Sequence, residues 1–372
     1  MPQTQLLDWV LEGLMSRYRT RVPDVSTILS GMLSHGVIAD VSEIENDHIA
    51  FRTMGVPHLG IQSLEKIFLV LGYRKEDFYR FEKKKLNAYW YSPPEPRFPR
   101  VFISELCVNE LSPETQAIIR SYTDGITEDP VDVILRSFAA QNGEGFKGLA
   151  PFGSPENTVD GEAAVQRVNA SKELIPFGST ENASKALSPE ALEGRSFGVP
   201  TTRAHAEAID AFLHQPLWRT PTWADYQALA AESEYASWVI YNRYYLNHFT
   251  ITIHNLPAGY NTVALFNDFL ESLGITLNDA GGKAKISPDK KLIQSSTVAQ
   301  LIDAAFDDGH GGEEIHTISG SYVEFAQREI LDDYAHLPLS EIKRHHRKEG
   351  FERDNADGIF ESTYSQQTGK KG

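Results

Sequence analysis

The stretch NDHIAFRT, residues 46–53, decides the fold, because LNHFTITI, residues 246–253, repeats its pattern later in the chain. Both stretches alternate in polarity, which is typical of a strand that buries one face. An amphipathic helix follows each, with apolar residues at +3, +7 and +10 from Ile61 and from Val263. Both helices end at a Leu-Gly pair, where glycine suits the left-handed cap. This order of elements predicts an internal repeat.

Further strand-like runs follow each of these helices. Their approximate bounds are 78–91, 100–108, 283–298 and 315–328. Each copy is therefore a strand, a helix and then two or three strands, which predicts an α+β fold. We expect two βαβββ modules, 46–110 and 246–330, to form one curved mixed or antiparallel sheet with helices around it.

The remaining segments read mainly as helices. Residues 1–45 are expected to form an N-terminal helical segment, 111–245 a helical region between the modules, and 331–372 a C-terminal helix and tail. Within the middle region, residues 143–200 are rich in Gly, Pro, Ser, Asn and Glu and have no hydrophobic periodicity. That composition predicts a flexible insert.

Composition limits the partners of this protein. With 51 acidic and 35 basic residues, the chain carries a formal charge of -16, which argues against nucleic acid or an anionic membrane as a partner. The clearest basic run, Lys343–Lys348, is predicted to be the solvated face of a helix. A single cysteine excludes an internal disulfide, and no signal-like or membrane-spanning segment is evident. We therefore expect a cytoplasmic protein, and the sequence leaves its oligomeric state open.

Strand alternation suggests a metal site. It places His48 and Arg52 on one face of the first strand, and His248 and His254 on one face of its counterpart. Because His248 and His254 would lie roughly 20 Å apart, they cannot bind one metal. We choose His248, since pseudo-twofold packing would bring it to His48. Glu324 is one candidate among several carboxylates for a third ligand, and two imidazoles with one carboxylate are typical of iron(II) oxygenases.

A family resemblance is carried by motifs spread over most of the chain outside residues 143–200. The motifs are DHIAFRT at 47–53, WRTPTWADY at 218–226, ESEYASWV at 232–239, NHFT at 247–250, QSSTVA at 294–299, YVEFAQR at 322–328 and GFERDNADGIFESTYSQQ at 350–367. In their order and spread they resemble the 2-oxoadipate dioxygenase/decarboxylase family, which is related in fold to the vicinal oxygen chelate superfamily. No single one of these motifs is specific. The resemblance implies that both βαβββ modules are vicinal-oxygen-chelate-like.

The resemblance also implies the chemistry of the site. Iron(II) would be held by His48, His248 and Glu324, and Arg52 would bind a carboxylate of the substrate. The family reaction converts 2-oxoadipate and O2 to 2-hydroxyglutarate and CO2, as in lysine catabolism. On this interpretation the partners are a small 2-oxo acid and O2.

The C-terminal motif implies a second contact with the substrate. Family members receive the substrate carboxylate in the segment before a Gly-Ile-Phe motif, which here contains Asp354, Asn355 and Ala356. The polar, acidic pair Asp354-Asn355 departs from the small apolar and hydroxyl pair of bacterial members. This departure leaves the chain length of the preferred 2-oxo acid open.

Two other functions fit the same residues. A zinc or nickel isomerase of the glyoxalase type would favour a fourth ligand, for which Glu105, the predicted repeat counterpart of Glu324, is the candidate. In a non-catalytic binding protein the histidines would only line a ligand pocket, and Glu324 would pair with an arginine. Tyr322, on the same strand face as Glu324, is a candidate partner for that carboxylate.

Overall fold

The computed structural model describes residues 3–141 and 200–371. The predicted flexible insert, 143–200, lies outside the described residues apart from its last position. Eleven α-helices occur in the described part of the chain. They are α1 Gln3–Arg21, α2 Pro23–Ser34, α3 Ile61–Val70, α4 Pro113–Thr123, α5 Pro130–Gln141, α6 Arg203–His214, α7 Trp223–Glu232, α8 Glu234–Asn242, α9 Val263–Ser272, α10 Arg353–Phe360 and α11 Ser365–Thr368.

Ten strands form two sheets among the described residues. The strands are β1 Asn46–Met54, β2 Arg74–Phe81, β3 Leu86–Ser92, β4 Arg100–Leu106, β5 His248–Thr252, β6 Lys285–Ile286, β7 Leu292–Ser296, β8 Leu301–Asp307, β9 Glu313–Ser319 and β10 Tyr322–Arg328. Eight of them make one mixed, curled sheet in the order β2-β3-β4-β1-β5-β10-β7-β6. Strands β8 and β9 pair separately.

The two predicted copies meet at the centre of the large sheet. Strands β1 and β5 run antiparallel there, with Ala50 paired to His248. Outside them, β4 runs parallel to β1, and β10 runs parallel to β5. A pseudo-twofold axis between β1 and β5 therefore relates β1-α3-β2-β3-β4 to β5-α9-β6-β7-β10. The predicted α+β fold is confirmed.

The helices of the repeat cover one face of this sheet. Phe68 of α3 packs on Phe51 with ring centroids 5.4 Å apart, and Phe266 of α9 packs on Phe325 at 5.2 Å. All four side chains are fully buried, and each such burial stabilises the fold by about 1.5–3 kcal/mol. Because successive side chains of a strand point to opposite faces, the other face of the same strands is free to carry polar groups.

Two predicted strand runs are divided in the structure. The run 78–91 is a hairpin, whose turn uses Lys85 at a positive φ of 55°. The run 315–328 is interrupted at Gly320. Strand β9, before this glycine, pairs only with β8, and strand β10, after it, belongs to the large sheet. Strand β8 was not predicted, because its hairpin with β9 is largely exposed and has only a weak burial pattern.

The basic run Lys343–Lys348 is not the solvated helical face that the charge pattern predicts. Its backbone forms only a short 3-10 turn. The amide of Leu331 donates to the carbonyl of His346, and the amide of Lys348 donates to the carbonyl of Glu329. These hydrogen bonds hold the run against the segment after β10 and leave several of its side chains partly buried. Residues 331–371 contain short 3-10 turns and the helices α10 and α11.

Candidate metal centre

Three predicted ligands meet on the face of the sheet opposite the helices. His48, His248 and Glu324 offer ligand atoms that all lie within 4.8 Å of one another, and all three residues are buried. The two Nε2 atoms are 3.2 Å apart, while Glu324 Oε1 is 3.4 Å from His48 and Oε2 is 3.1 Å from His248. Metal-ligand bonds of about 2.1 Å at right angles separate adjacent donors by about 3.0 Å. The donor set and its spacing therefore fit a divalent metal ion.

Strand register explains why these residues meet. His48 and His248 lie on the two central strands, and Glu324 pairs in register with Thr250 on the neighbouring strand β10. The hydroxyl of Thr250 lies 3.1 Å from His48 Nε2. The ligands thus come from three adjacent strands, β1, β5 and β10, and each module supplies one histidine.

Each imidazole is oriented by the residue that precedes it. Asp47 Oδ1 lies 2.8 Å from His48 Nδ1, and Asn247 Oδ1 lies 3.2 Å from His248 Nδ1. These contacts turn both Nε2 atoms toward the centre, as partners of metal-binding histidines commonly do. Sequence reasoning missed both residues, although the repeat places a side-chain oxygen before each histidine.

Glu324 has an orienting partner of its own. Gln294 Nε2 donates to Glu324 Oε1 over 2.6 Å, and Asn355 Nδ2 donates to Gln294 Oε1 over 3.1 Å. Asn355 Nδ2 also lies within hydrogen-bond distance of the carbonyls of Lys285 and Leu292. The side chain of Asn355 thus begins a hydrogen-bond chain that leads through Gln294 to a candidate ligand, and its contact with a substrate stays a prediction.

The two histidines have opposite pKa shifts without a metal. Burial opposes the charged form of His48, but Glu324 and Asp47 outweigh it and raise the pKa of His48. Burial and the nearby charges of His48 and Arg52 hold the pKa of His248 well below its usual value. Glu324 and Asp47 thus favour a proton on His48, while burial favours the neutral form of His248.

A cavity opens beside the three candidate ligands, and Phe102, Phe351 and Phe360 form much of its wall. Arg52 also lines this cavity and is 1% exposed. Its Nη1 donates to Thr363 Oγ1 and its Nη2 to the carbonyl of Phe360, whereas its Nε has no hydrogen-bond partner in the described chain. A fixed guanidinium in an apolar cavity can bind a carboxylate strongly.

Of the two other predicted substrate contacts, one lines the cavity and one lies outside it. Ala356 lines the cavity, but Asp354 is exposed and pairs with Arg353 outside it. Tyr322 packs its ring against His248, 4.8 Å between centroids, and no hydrogen bond joins it to Glu324. His254 lies in the turn after β5, where its Nδ1 accepts from the amide of Arg328.

Glu105 lies on the other face of the sheet. It pairs in register with Thr53, and its Oε2 accepts a hydrogen bond from the amide of Ile61, the first residue of α3. Since His48 and Thr53 are five positions apart on β1, their side chains point to opposite faces. The proposed role of Glu105 as a fourth metal ligand is therefore wrong.

Strand pairing also corrects the repeat counterpart of Glu324. His48 pairs with Arg100, and His248 pairs with Tyr322, so Glu324 corresponds to Phe102. Glu105 corresponds to Gln327, whose Oε1 accepts from the amide of Val263 at the start of α9. The two side chains thus cap equivalent helices. The resemblance between FISELCV and SYVEFAQ had suggested a different alignment.

Comparison with known proteins agrees with this geometry. A family model described as 2-oxoadipate dioxygenase/decarboxylase matches residues 10–145 and 180–338. The chain belongs to this family. The chloroplastic 2-oxoadipate dioxygenase/decarboxylase of Arabidopsis thaliana is 35% identical over 97% of this chain and 78% of its own. The predicted family and an enzymatic function are thereby confirmed.

Solved structures with a similar fold also match this chain. The crystal structure of the hydroxyglutarate synthase in complex with 2-oxoadipate from Oryza sativa is 32% identical, with a TM-score of 0.71 over 99% of this chain and 96% of that one. A putative glyoxalase superfamily protein from Ralstonia eutropha JMP134 is 17% identical, with a TM-score of 0.62 over 92% and 84%. The second likeness shows the fold alone, and it agrees with the vicinal-oxygen-chelate-like modules. Within the described residues, no helix has the length and apolar character needed to cross a membrane.

Proposed function

We propose that this protein is an iron(II) enzyme that converts 2-oxoadipate and O2 to 2-hydroxyglutarate and CO2. The observation that carries the proposal is the buried triad His48, His248 and Glu324 beside a cavity that contains Arg52, in a chain of this family. Two imidazoles and one carboxylate bind zinc as well as iron, and they are the ligand set typical of iron(II) oxygenases, in which a chelating substrate and O2 would bind at the same metal. Bound iron would hold both reactants and supply the redox chemistry.

Arg52 supports the choice of a diacid substrate. Its guanidinium lies on the same strand face as His48, four residues along β1, and is held by Thr363 and Phe360. A carboxylate paired with Arg52 would be fixed relative to the ligands, which favours one reactive orientation. The aromatic wall excludes water from that part of the cavity. We infer that Arg52 orients the substrate and compensates its charge.

The C-terminal motif contributes less of the pocket than its sequence suggests. Ala356 and Ile359 line the cavity and would limit the length of the substrate chain, whereas Asp354 faces solvent. The acidic character of Asp354 therefore imposes no electrostatic penalty inside the cavity. A six-carbon 2-oxo diacid is our proposed substrate on this basis and on the names of the relatives.

Oxygen uptake tests this function directly. Protein loaded anaerobically with iron(II) is mixed with aerated 2-oxoadipate in an oxygen electrode, and 2-hydroxyglutarate is measured at the end. We expect substrate-dependent oxygen uptake that Glu324→Ala abolishes and Glu105→Gln leaves intact, because only Glu324 faces the metal. Failure to bind iron(II), or the absence of 2-oxo-acid-dependent uptake in the wild type, would refute the proposal and favour a binding protein.

The same pair of variants tests the glyoxalase-type alternative. That chemistry was expected to use Glu105 as a fourth ligand, and Glu105 instead caps α3.

A cytoplasmic location stays a prediction, and the plant relative is named as chloroplastic. A fractionation experiment with the native organism would test it.

A further inference from the structure

A second cavity, of about 100 Å³, lies at the end of the sheet where β1 and β4 begin and β5 and β10 end. We call it the arginine cavity. The cationic side chains that line it are Arg100, Arg328, Lys343, Arg344 and Arg347. The carboxylates that line it are Glu45 and Asp47. Five cationic groups therefore face two anionic ones, in a protein whose overall formal charge is -16.

Asp47 neutralises only part of this charge. Arg328 binds its carboxylate through two nitrogens, Nε at 2.6 Å and Nη2 at 2.9 Å. Arg100 adds a contact of 3.2 Å to Asp47 and pairs on its other side with Glu349. The second anionic lining residue, Glu45, accepts a hydrogen bond from Asn255. Asp47 is therefore already committed to two arginines and to His48.

Arg344 and Arg347 have no carboxylate partner among the described residues. Arg344 Nη1 donates to the carbonyls of Pro96 and Phe98, and Arg347 Nη1 donates to the carbonyl of Arg328. Burial and the nearby charge of Arg100 lower the pKa of Arg344 to about 10. Partly buried cations held only by backbone carbonyls are costly to keep charged, and an anion would offset that cost.

Two buried guanidinium nitrogens also lack hydrogen-bond acceptors. Nη2 of Arg100 and Nη2 of Arg344 have no partner in the described chain, and Arg100 is only 2% exposed. Buried polar groups are normally satisfied, so unpaired donors beside a cavity indicate a missing acceptor. An oxyanion supplies several acceptor oxygens and negative charge together.

We propose that the arginine cavity binds a small oxyanion with two negative charges, either inorganic phosphate or a short dicarboxylate. This site is separate from the cavity beside the metal centre, because Asp47, Arg100 and Arg328 form an ion cluster between the two. The inference does not depend on the reaction proposed above. It assigns a role to the basic run 343–348, which the catalytic site does not use.

Isothermal titration calorimetry of the full chain tests this proposal. Phosphate and glutarate are titrated separately at constant ionic strength, with chloride as the balancing anion. We expect at least one of them to bind the wild type, and Arg347→Gln to weaken that binding by about tenfold or more, because one charge-assisted contact is lost. Lys343→Gln, an exposed lining position, provides a second variant should Arg347→Gln fold poorly.

Two control variants separate this site from other cationic positions. Arg353→Gln removes an exposed arginine outside both cavities and should leave the affinity unchanged. Arg52→Gln removes the guanidinium of the metal cavity, so glutarate bound in that cavity is lost in this variant, whereas an anion bound in the arginine cavity keeps its affinity. Binding of phosphate alone identifies an inorganic anion site, and binding of glutarate identifies a dicarboxylate site. No binding of either anion, or binding that Arg52→Gln abolishes and Arg347→Gln and Lys343→Gln do not, would overturn the proposal.

Discussion

At the scale of single residues, the repeat places a side-chain oxygen next to each metal-facing imidazole, but the two oxygens differ in charge. Asp47 is ionic and binds Arg100 and Arg328, whereas Asn247 is neutral. His48 is therefore attached to a buried ion cluster, and His248 is attached to an amide. This difference predicts that metal binding by His48 depends more strongly on the neighbouring side chains than metal binding by His248 does.

Asp47→Asn should weaken both the fold and the metal site. The substitution keeps an oxygen for His48 but leaves Arg328 buried without its counter-charge and Arg100 paired only with Glu349, which costs about 3–5 kcal/mol of unfolding free energy. Iron(II) affinity should fall about 10- to 100-fold, as is usual when the partner of a metal-binding histidine is changed. Urea denaturation and anaerobic iron titration measure the two effects. Glu45→Gln is the matched control, and an equal loss in that variant would contradict the prediction.

Gln294→Leu should impair metal binding with less effect on folding. It removes the amide that donates to Glu324 Oε1, so the carboxylate loses its fixed orientation and iron(II) affinity falls about tenfold or more. Anaerobic titration compares this variant with Gln62→Leu, an exposed glutamine on α3. An unchanged iron affinity in Gln294→Leu would show that Glu324 needs no such support.

The sequence predicted the histidines of the candidate site better than it predicted the groups that support them. His48 and His248 follow from equivalent positions in a repeat, and Arg52 follows from strand alternation together with the family motif. The family motifs contain Gln294 and Asn355, but nothing in the sequence indicated that they support Glu324, because their contact depends on how α10 packs against β7 and not on spacing within one strand. For the same reason the exposed position of Asp354 was not foreseen.

At the scale of secondary-structure elements, the register of parallel strands decides which residues of the two modules correspond. Short strands with similar composition align equally well when shifted by several positions, so sequence alone matched Glu105 to Glu324. The structure matches Glu105 to Gln327, and each accepts the first amide of the helix in its own module. The order of elements was predictable, but the register was not, because it depends on hydrogen bonds between distant strands.

Glu105→Ala should destabilise α3 without affecting the metal. Loss of the acceptor at the helix start costs about 1 kcal/mol, and Glu105→Gln should restore it because Gln327 performs the same role with an amide. Denaturation measures stability, and iron titration should give equal affinities for all three proteins. Reduced iron affinity in Glu105→Ala would contradict the assignment of opposite sheet faces.

The pH dependence of stability offers an independent test of Glu105. Burial raises the pKa of this carboxyl above its ordinary value of 4.5, so the folded protein binds the proton more tightly than the unfolded chain. Stability of the wild type should therefore fall as pH rises from the ordinary to the raised pKa, and Glu105→Gln should lack this component. The stability of Glu105→Gln relative to wild type should increase as pH rises above the ordinary pKa of a glutamate, about 4.3. A constant difference would argue against a raised pKa.

At the scale of the whole molecule, the metal would connect the two modules through the central strand pair. Iron(II) should therefore stabilise the protein as one cooperative unit, by about 2.7 kcal/mol at a metal concentration 100 times the dissociation constant. Anaerobic thermal denaturation should show a single transition that shifts upward with iron(II), and no shift in Glu324→Ala. Two transitions, of which only one responds to iron(II), would mean that the modules unfold independently.

The correspondence of Phe102 with Glu324 has a consequence for symmetry. Two identical modules related by a twofold axis would place either two carboxylates or none beside the paired histidines. Fusion of the modules into one chain allows the equivalent positions to diverge, so that one carries a ligand and the other carries an aromatic ring that lines the cavity. A homodimer of identical single modules could not form a centre with a carboxylate on one side and an aromatic ring at the equivalent position. In this protein, Phe102 forms part of the cavity wall beside the three candidate ligands because the duplication is imperfect.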